Sequence, residues 1–399
     1  MTNYMVDKGY LAIKVQAVPT TPVTPGTFIP LISESIRLNP NIIADRRIKG
    51  LDWKSDDMLK GPRTVEGDLV VYADPDTLGH LLNMCYTKGA SAGSAPVGFT
   101  HPFLPGEGKS YCIDIGRGIT AQRIWGARID NLKLEFQDNK LMATASIKAL
   151  GQFNGASLAV ALTGAGMTSA VLKQDYNAKP TEGLVAGDVI TVGGVDLTLL
   201  TVAADGITVT FASTAVTAAI GDPLVLKAQT PSYTTIVEPL YMNNALVGVA
   251  ATSALADTAA ATKATATPCY DININLKQNL LDAPATGSAG PSVLMNQVKE
   301  SQIELSRLFE TPVQYHKWIE TTKQGMTMIV KGRFIKSDNT TWEAFTIKFH
   351  NVKQETDEQP LDVGKYLFDK QKFEALYDVA DAKSIEITLV NRTDATGNY

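Results

Sequence analysis

Four histidines, three cysteines and a scatter of carboxylates are the side chains with catalytic or metal-binding potential in this 399-residue chain. Hydrolytic or metal chemistry needs them in convergent sets, a histidine beside a nucleophile or His, Cys and carboxylates at ligand spacing. No histidine meets that requirement. His80 and His316 fall on two short helices, the second close to Trp318, while His101 precedes a proline in a loop and His350 ends a strand. They read as packed or solvated groups. Gly116-Arg117-Gly118 is too short for a phosphate cradle, and no nucleophile elbow or paired-carboxylate motif is visible. Glu355 to Glu358, with Thr356 and Asp357 between, reads as a solvated acidic loop rather than a cation site. Cys85, Cys112 and Cys269 are far apart and odd in number, as expected of buried thiols in a reducing compartment. The expectation is a protein that is not an enzyme, with no cofactor and no metal.

One segment does look built for contact. From Asn39 to Thr64, basic residues (Arg46, Arg47, Lys49, Lys54, Lys60, Arg63) alternate with Asp45, Asp52, Asp56 and Asp57 around Ile42, Ile43, Ile48, Trp53 and Met58. Mixed charge with embedded apolar anchors suits a protein–protein interface, and long loops in compact domains are usually functional. The expected contact residues are Ile42, Ile43, Arg46, Arg47, Lys49, Trp53, Lys54, Met58 and Lys60.

The elements that must carry this segment are mostly strands. Leu11 to Val15, Phe28 to Leu38, Val65 to Tyr72, Phe345 to Phe349, Tyr366 to Phe373 and Ile385 to Leu389 alternate apolar and polar residues. Leu132 to Phe136 and Leu141 to Ile147 predict a hairpin closed at Asp138-Asn139. Only two helices are expected. Asp74 caps one, with Pro75 at its first position; Thr311 caps the other, with Pro312 following; Gly89 and Gly325 supply the left-handed residues that stop them.

These elements recur. Glu34 to Leu38, a gap, Val65 to Tyr72 and the Pro75 helix are matched by Asp271 to Leu276, a gap, Gln302 to Leu308 and the Pro312 helix. The two prolines are 237 residues apart and the two glycines 236, which argues for duplication. The second gap, Asp282 to Gln297, is Gly/Ala/Pro-rich and nearly uncharged, so the copies are expected to touch different things. Between them, residues 154–235 are poor in charge and carry four expected short strands, Asp188 to Val192, Val195 to Val202, Gly206 to Phe211 and Pro223 to Lys227. The flanks Ser157 to Gly166 and Ala250 to Thr267 have linker composition, although part of the second aligns with the first copy's body. The expected organisation is a mainly β chain: unit 1–153, an inserted small β-domain 154–235, and unit 236–399.

Composition sets outer bounds. Hydrophobic residues make up 44% and charged residues 19%, and a net charge of −5 gives no footprint for tight nucleic-acid binding. Met1 to Tyr10 lacks signal-peptide character and no stretch approaches ~18 apolar residues, so folding in a cytosol without membrane insertion is expected.

Thr64 to Met84 (TVEGDLVVYADPDTLGHLLNM) and Lys372 to Arg392 (KFEALYDVADAKSIEITLVNR) resemble the corresponding parts of the tail tube proteins of tailed phages. The likeness covers about four-fifths of the chain, omitting the insert. It implies a tail-tube-like β-sandwich/barrel unit present twice, each copy with a short flanking helix. It further implies homotrimeric, pseudo-hexameric rings (hexamers as the alternative) stacked into a tail tube. The partners implied are other copies of the chain, tape measure and tail terminator proteins, and double-stranded DNA passing non-specifically through. The Asn39 to Thr64 loop would reach the next ring, and an outward insert would suit a non-contractile tail in a virion whose parts are made in the host cytoplasm. The alternative function is a carbohydrate- or cell-surface-binding β-protein acting through the insert, which offers only Tyr176, Phe211 and Tyr233 as aromatic platforms. A cell-wall hydrolase finds no support in the residue layout.

Overall fold

The computed structural model describes residues 9–44, 58–94, 97–174, 179–233, 238–285, 290–309, 313–335, 341–359 and 367–392. The chain is mainly β. The first third carries β1 (Gly9–Val15), β2 (Arg37–Asn39), β3 (Ile42–Ala44), β4 (Met58–Lys60), β5 (Thr64–Tyr72), α1 (Pro75–Cys85), β6 (Gly98–Leu104), β7 (Tyr111–Arg117), β8 (Thr120–Gln137), β9 (Lys140–Ala149) and β10 (Gly151–Phe153). A middle block adds β11 (Leu162–Val171), β12 (Val189–Val192), β13 (Val195–Val202), β14 (Thr208–Ala218) and β15 (Pro223–Lys227). The last part holds β16 (Ala245–Ala250), α2 (Ser253–Ala260), β17 (Asp271–Lys277), β18 (Leu280–Pro284), β19 (Pro291–Asn296), β20 (Glu300–Leu308), α3 (Val313–Ile319), β21 (Gln324–Phe334), β22 (Trp342–Glu358), β23 (Phe368–Leu376) and β24 (Ile385–Asn391). Shorter strands complete the sheets.

Two long strands, β8 and β22, organise everything else. The first part of β8 pairs with β7 and β10, whereas its second part lies between β9 and β17. Gly126, at a φ of 63°, and a bulge at Asp130 bend the strand between these two roles. β22 repeats the arrangement: its first part lies between β21 and β24, and its second part pairs with β23 across a bulge at Glu355. The β8–β9 turn uses Asp138 and Asn139, both left-handed at φ 49° and 66°, as the hairpin reading expects.

Two apolar cores result. One runs through both sequence halves, from Leu11, Leu69 and Leu132 to Ile274, Phe345 and Phe373. The other combines Tyr10, Ala12, Trp125 and Phe153 with Leu158, Ile190, Val209 and Leu224 of the middle block. β1 separates them and is buried on both faces, sending Leu11 and Ile13 to the first core and Tyr10 and Ala12 to the second. Neither domain boundary expected from sequence therefore divides one core from another. The middle block is also fixed by charge. Fully buried Arg123 on β8 donates to Asp114 of β7 at 2.8 Å, to Asp188 beside β12, and to the Gly183 carbonyl at 3.2 Å. Thr24 Oγ1 and the Val185 amide donate to Asp188 as well. A buried ion held between two carboxylates and a carbonyl is costly to break from one side.

Several expectations require correction. Asp74 caps α1 as expected, accepting from the amides of Asp76 and Thr77, but the helix ends at Cys85 on an extended Tyr86 rather than at Gly89. Neither Gly89 nor Gly325 is left-handed; Thr321, at φ 49°, follows α3 instead, and Gly325 opens β21 where a Cβ would strike the Ser253 backbone. Thr311 and Pro312 lie outside the described residues, as does Tyr366. Phe28 to Leu38 is not one strand: Pro30 interrupts it, and a kink at Ile36 faces Gly67, whose missing Cβ admits the Ile36 backbone. A third helix, α2, replaces the second expected linker; Thr252 caps it, and Gly248 of β16 lets Ala256 approach. The other expected linker overlaps β11, which pairs with β14. His101 is in β6, His350 is inside β22, and Glu355 to Glu358 is strand, not loop.

The Arg123 cluster gives a direct test. Arg123→Ala leaves Asp114 and Asp188 buried without a counter-charge, and is expected to cost about 3–5 kcal/mol, read as a lower urea midpoint.

Candidate assembly interface

The same pairings occur in both sequence halves. β2–β5, β5–β9, β9–β8, β8–β7, β8–β10 and β1–β7 correspond to β17–β20, β20–β23, β23–β22, β22–β21, β22–β24 and β16–β21, all antiparallel. Matching the Asp130 and Glu355 bulges fixes the residue equivalences: Ser146 with Lys372, Asp68 with Glu304, and Arg37, Leu38 and Asn39 with Asn275, Leu276 and Lys277. Continuing along the chain, Asn41 matches Asn279, and both are left-handed, at φ 44° and 50°. The gaps match too. Both expected gaps begin as hairpins, β3–β4 in the first half and β18–β19 in the second.

Two pairings outside this correspondence join the halves: β6 with β24, and β8 with β17. β8 pairs with β17 (Asn131 with Lys277, Leu132 with Leu276, Lys133 with Asn275) and welds the halves edge to edge. The product is a continuous sheet in the order β2-β5-β9-β8-β17-β20-β23-β22. One row across it reads Val71, Ala143, Leu134, Ile274, Ile303, Phe373 and Gln354, and faces the first core. The adjacent row reads Tyr72, Met142, Glu135, Asn273, Glu304, Lys372 and Thr356, and faces away from it. Asp68, Glu135, Asp271, Glu300, Glu304, Glu358 and Glu374 share that outer face with Lys133, Lys277, Lys370 and Lys372. Glu66, Arg37, Lys140, Lys148 and Lys353 lie on the same face, so carboxylates and basic groups balance there, and some pair locally, Lys133 with Glu135 at 2.6 Å and Lys277 with Glu300 at 3.7 Å. Such a face presents polar, mixed charge in which carboxylates interleave with the basic groups and break up any continuous basic track for phosphates. The middle block lies beyond β1 and β7, on the opposite side from this face.

Both outer strands of the sheet have an open side. β2 pairs with β5 alone, and the final residues of β22, beyond Val352, pair with β23 alone among the described strands. The two halves also differ beneath the sheet. Positions filled by Val71, Ala143 and Leu132 in the first half hold Arg307, Asp369 and Asp357 in the second. Asp369 forms an ion pair with Arg307 at 3.5 Å, whereas burial and then the nearby Asp369 charge push the Asp357 carboxyl above its usual range. α1 is buried along nearly its whole length, while Val313, Tyr315 and Ile319 of α3 are exposed.

The expected contact residues divide. Ile42 and Ile43 lie on β3, Met58 and Lys60 on β4, with Ile42 opposite Lys60 and Ile43 opposite Leu59. Arg46, Arg47, Lys49, Trp53 and Lys54 lie outside the described residues. The segment is thus a hairpin at its base, not a plain loop. Ile42 is 58% exposed, whereas Leu280, at the equivalent position of β18, is 3% exposed. The difference has a visible cause. β18–β19 leans on the first half: Lys148 donates to the Leu280 carbonyl at 2.6 Å, and Arg128 to the Leu294 carbonyl at 3.2 Å and Asn296 at 2.7 Å. Sequence reasoning missed this support, though Asn41-Ile42-Ile43 and Asn279-Leu280-Leu281 carry its signal.

Reactive groups are placed structurally. His80 is buried against Tyr111, and burial brings its pKa down to about 3; His101 bonds Ser91 and Asn391 at 2.8 and 2.9 Å; His350 contacts Asp381 at 2.7 Å. Cys85 and Cys112 are buried thiols, pushed up to about 12 chiefly by burial. No group of His, Cys and carboxylates among the described residues has the arrangement of a metal site. Phe211 is core, which removes it as a carbohydrate platform, and Tyr176 lies outside the described residues. No family model and no curated protein matches the sequence.

The weld is directly testable. Cysteines placed by Lys133→Cys and Asn275→Cys sit opposite each other and should form an intrachain disulfide on mild oxidation. A mass loss of about two hydrogens with no interchain product would verify it.

Proposed function

We propose that the chain is a structural subunit that self-assembles into stacked rings forming the tail tube of a long-tailed phage. The observation that carries this reading is the two-half sheet with recurrent pairings, welded edge to edge and open at both outer strands. An internal duplication accounts for those recurrent pairings, each half standing for one sixth of a ring, and three chains close it. Closure removes the open edges, a standing hazard of exposed sheets. The polar, mixed-charge sheet face becomes the lumen, where DNA slides because interleaved carboxylates interrupt any basic track for its phosphates. The middle block then lies outside, across β1 and β7 from the lumen, which fits a tube without a close contractile sheath. Tape measure and tail terminator proteins are the partners of such a tube within the virion. The carbohydrate-binding reading is left with Tyr233 as its one exposed aromatic among the described residues of the middle block, whose strands go into a shared core.

Negative-stain imaging over rising protein concentration tests the proposal. Three-fold or pseudo-six-fold rings and tubes are expected; a monodisperse monomer at high concentration overturns it. Deleting Arg46 to Lys60 should leave a folded chain, by unchanged thermal unfolding, that no longer stacks into tubes.

A further inference from the structure

We infer that the open end of β22 pairs with β2 of a second copy of this chain, in antiparallel register, with Thr356 opposite Asn39, Asp357 opposite Leu38 and Glu358 opposite Arg37. The inference rests on the reading of the chain as a self-assembling ring subunit and adds the seam itself. Its template is the weld inside the chain. β8 is to β17 as β22 is to β2: the bulge equivalence of Asp130 and Glu355 carries Asn131, Leu132 and Lys133 onto Thr356, Asp357 and Glu358. The β2–β5 and β17–β20 registers carry Lys277, Leu276 and Asn275 onto Asn39, Leu38 and Arg37. No freedom in register remains once both equivalences are applied.

Three independent features fit this seam. Glu358 and Arg37 are both exposed, and the register sets them directly opposite on the polar face, an opposite-charge cross-strand pair. The limit of the pairing is also marked. In the weld, the Gln278 amide donates to the Asp130 carbonyl at 2.6 Å. The residue equivalent to Gln278 is Pro40, which has no amide hydrogen, and the Glu355 carbonyl is already taken by Trp318 Nε1 at 3.0 Å. Nothing is therefore left unpaired where the proline arrives. Finally, exposed Ile42 has the position that Leu280 fills when its hairpin leans across the weld onto the neighbouring unit. A second copy supplies that neighbour, so the base of the β3–β4 hairpin contacts the adjacent chain within the ring.

Cysteine pairs test the register in the assembled protein. Under mild oxidation, Glu358→Cys with Arg37→Cys should give an interchain ladder on non-reducing gels that ends at the copy number of the ring. Glu358→Cys with Asn39→Cys, two residues out of register, should give little, and the Lys133/Asn275 pair reports oxidation efficiency within one chain. Charge supplies a second readout. Glu358→Arg should lose rings by negative stain, and combining it with Arg37→Glu should recover them. Rings that form while the off-register pair cross-links better, or that survive Glu358→Arg unchanged, overturn this seam and leave the tube reading standing. Absence of rings from the unsubstituted protein at every concentration overturns both.

Discussion

The backbone pairing of β8 with β17 is the constraint on which the architecture depends. It converts two four-stranded arrays into one sheet, so a single apolar core can run beneath both. Leu132 and Leu276 meet across it on the buried side while Lys133 and Asn275 meet on the polar side. A one-residue slip would reverse those faces for an entire half. The register is thus enforced by burial over the whole sheet rather than by any single contact.

The bent strands make that sheet compatible with a layered body. Because β8 turns from one set of partners to another, its first part, near Arg123 and Trp125, reaches the second core while its later residues build the sheet. β22 makes the equivalent passage on the other side. The halves nonetheless diverge in what lies beneath them. The first seats a buried, capped α1 on apolar residues; the second sets Arg307, Asp369 and Asp357 in the same places under an exposed α3. The halves share their pairing geometry and differ in their packing chemistry.

Much of the fold was legible in the sequence because its signals are local. Asp74-Pro75 opened a helix, Asp138-Asn139 closed a hairpin, and alternation located β5, β9, β17 and β20 to within a residue or two. What escaped was decided by long-range contact. Gly89 and Gly325 read as helix stops but serve close packing, since the capping signal and the close-approach signal are the same residue type. β11, with Gly164 and Gly166, has the composition of a linker and becomes a strand only because β14 lies beside it. Among the candidate contact residues, Ile42 is exposed, and it and Ile43 stand on β3. Their strand pairing, and the contrast with a buried Leu280, required the three-dimensional correspondence.

The middle block shares its core with Tyr10, Trp125 and Phe153 and its buried carboxylate with Arg123. A portable module brings its own core and leaves by two covalent joints; this one does not. Its removal would strip one face from β1 and leave a guanidinium short of an anion. Any replacement acquired by recombination must arrive with a matching apolar surface and an acidic residue at one point. The tolerated diversity at this position is therefore expected to lie in the loops of the block and not in its presence or absence.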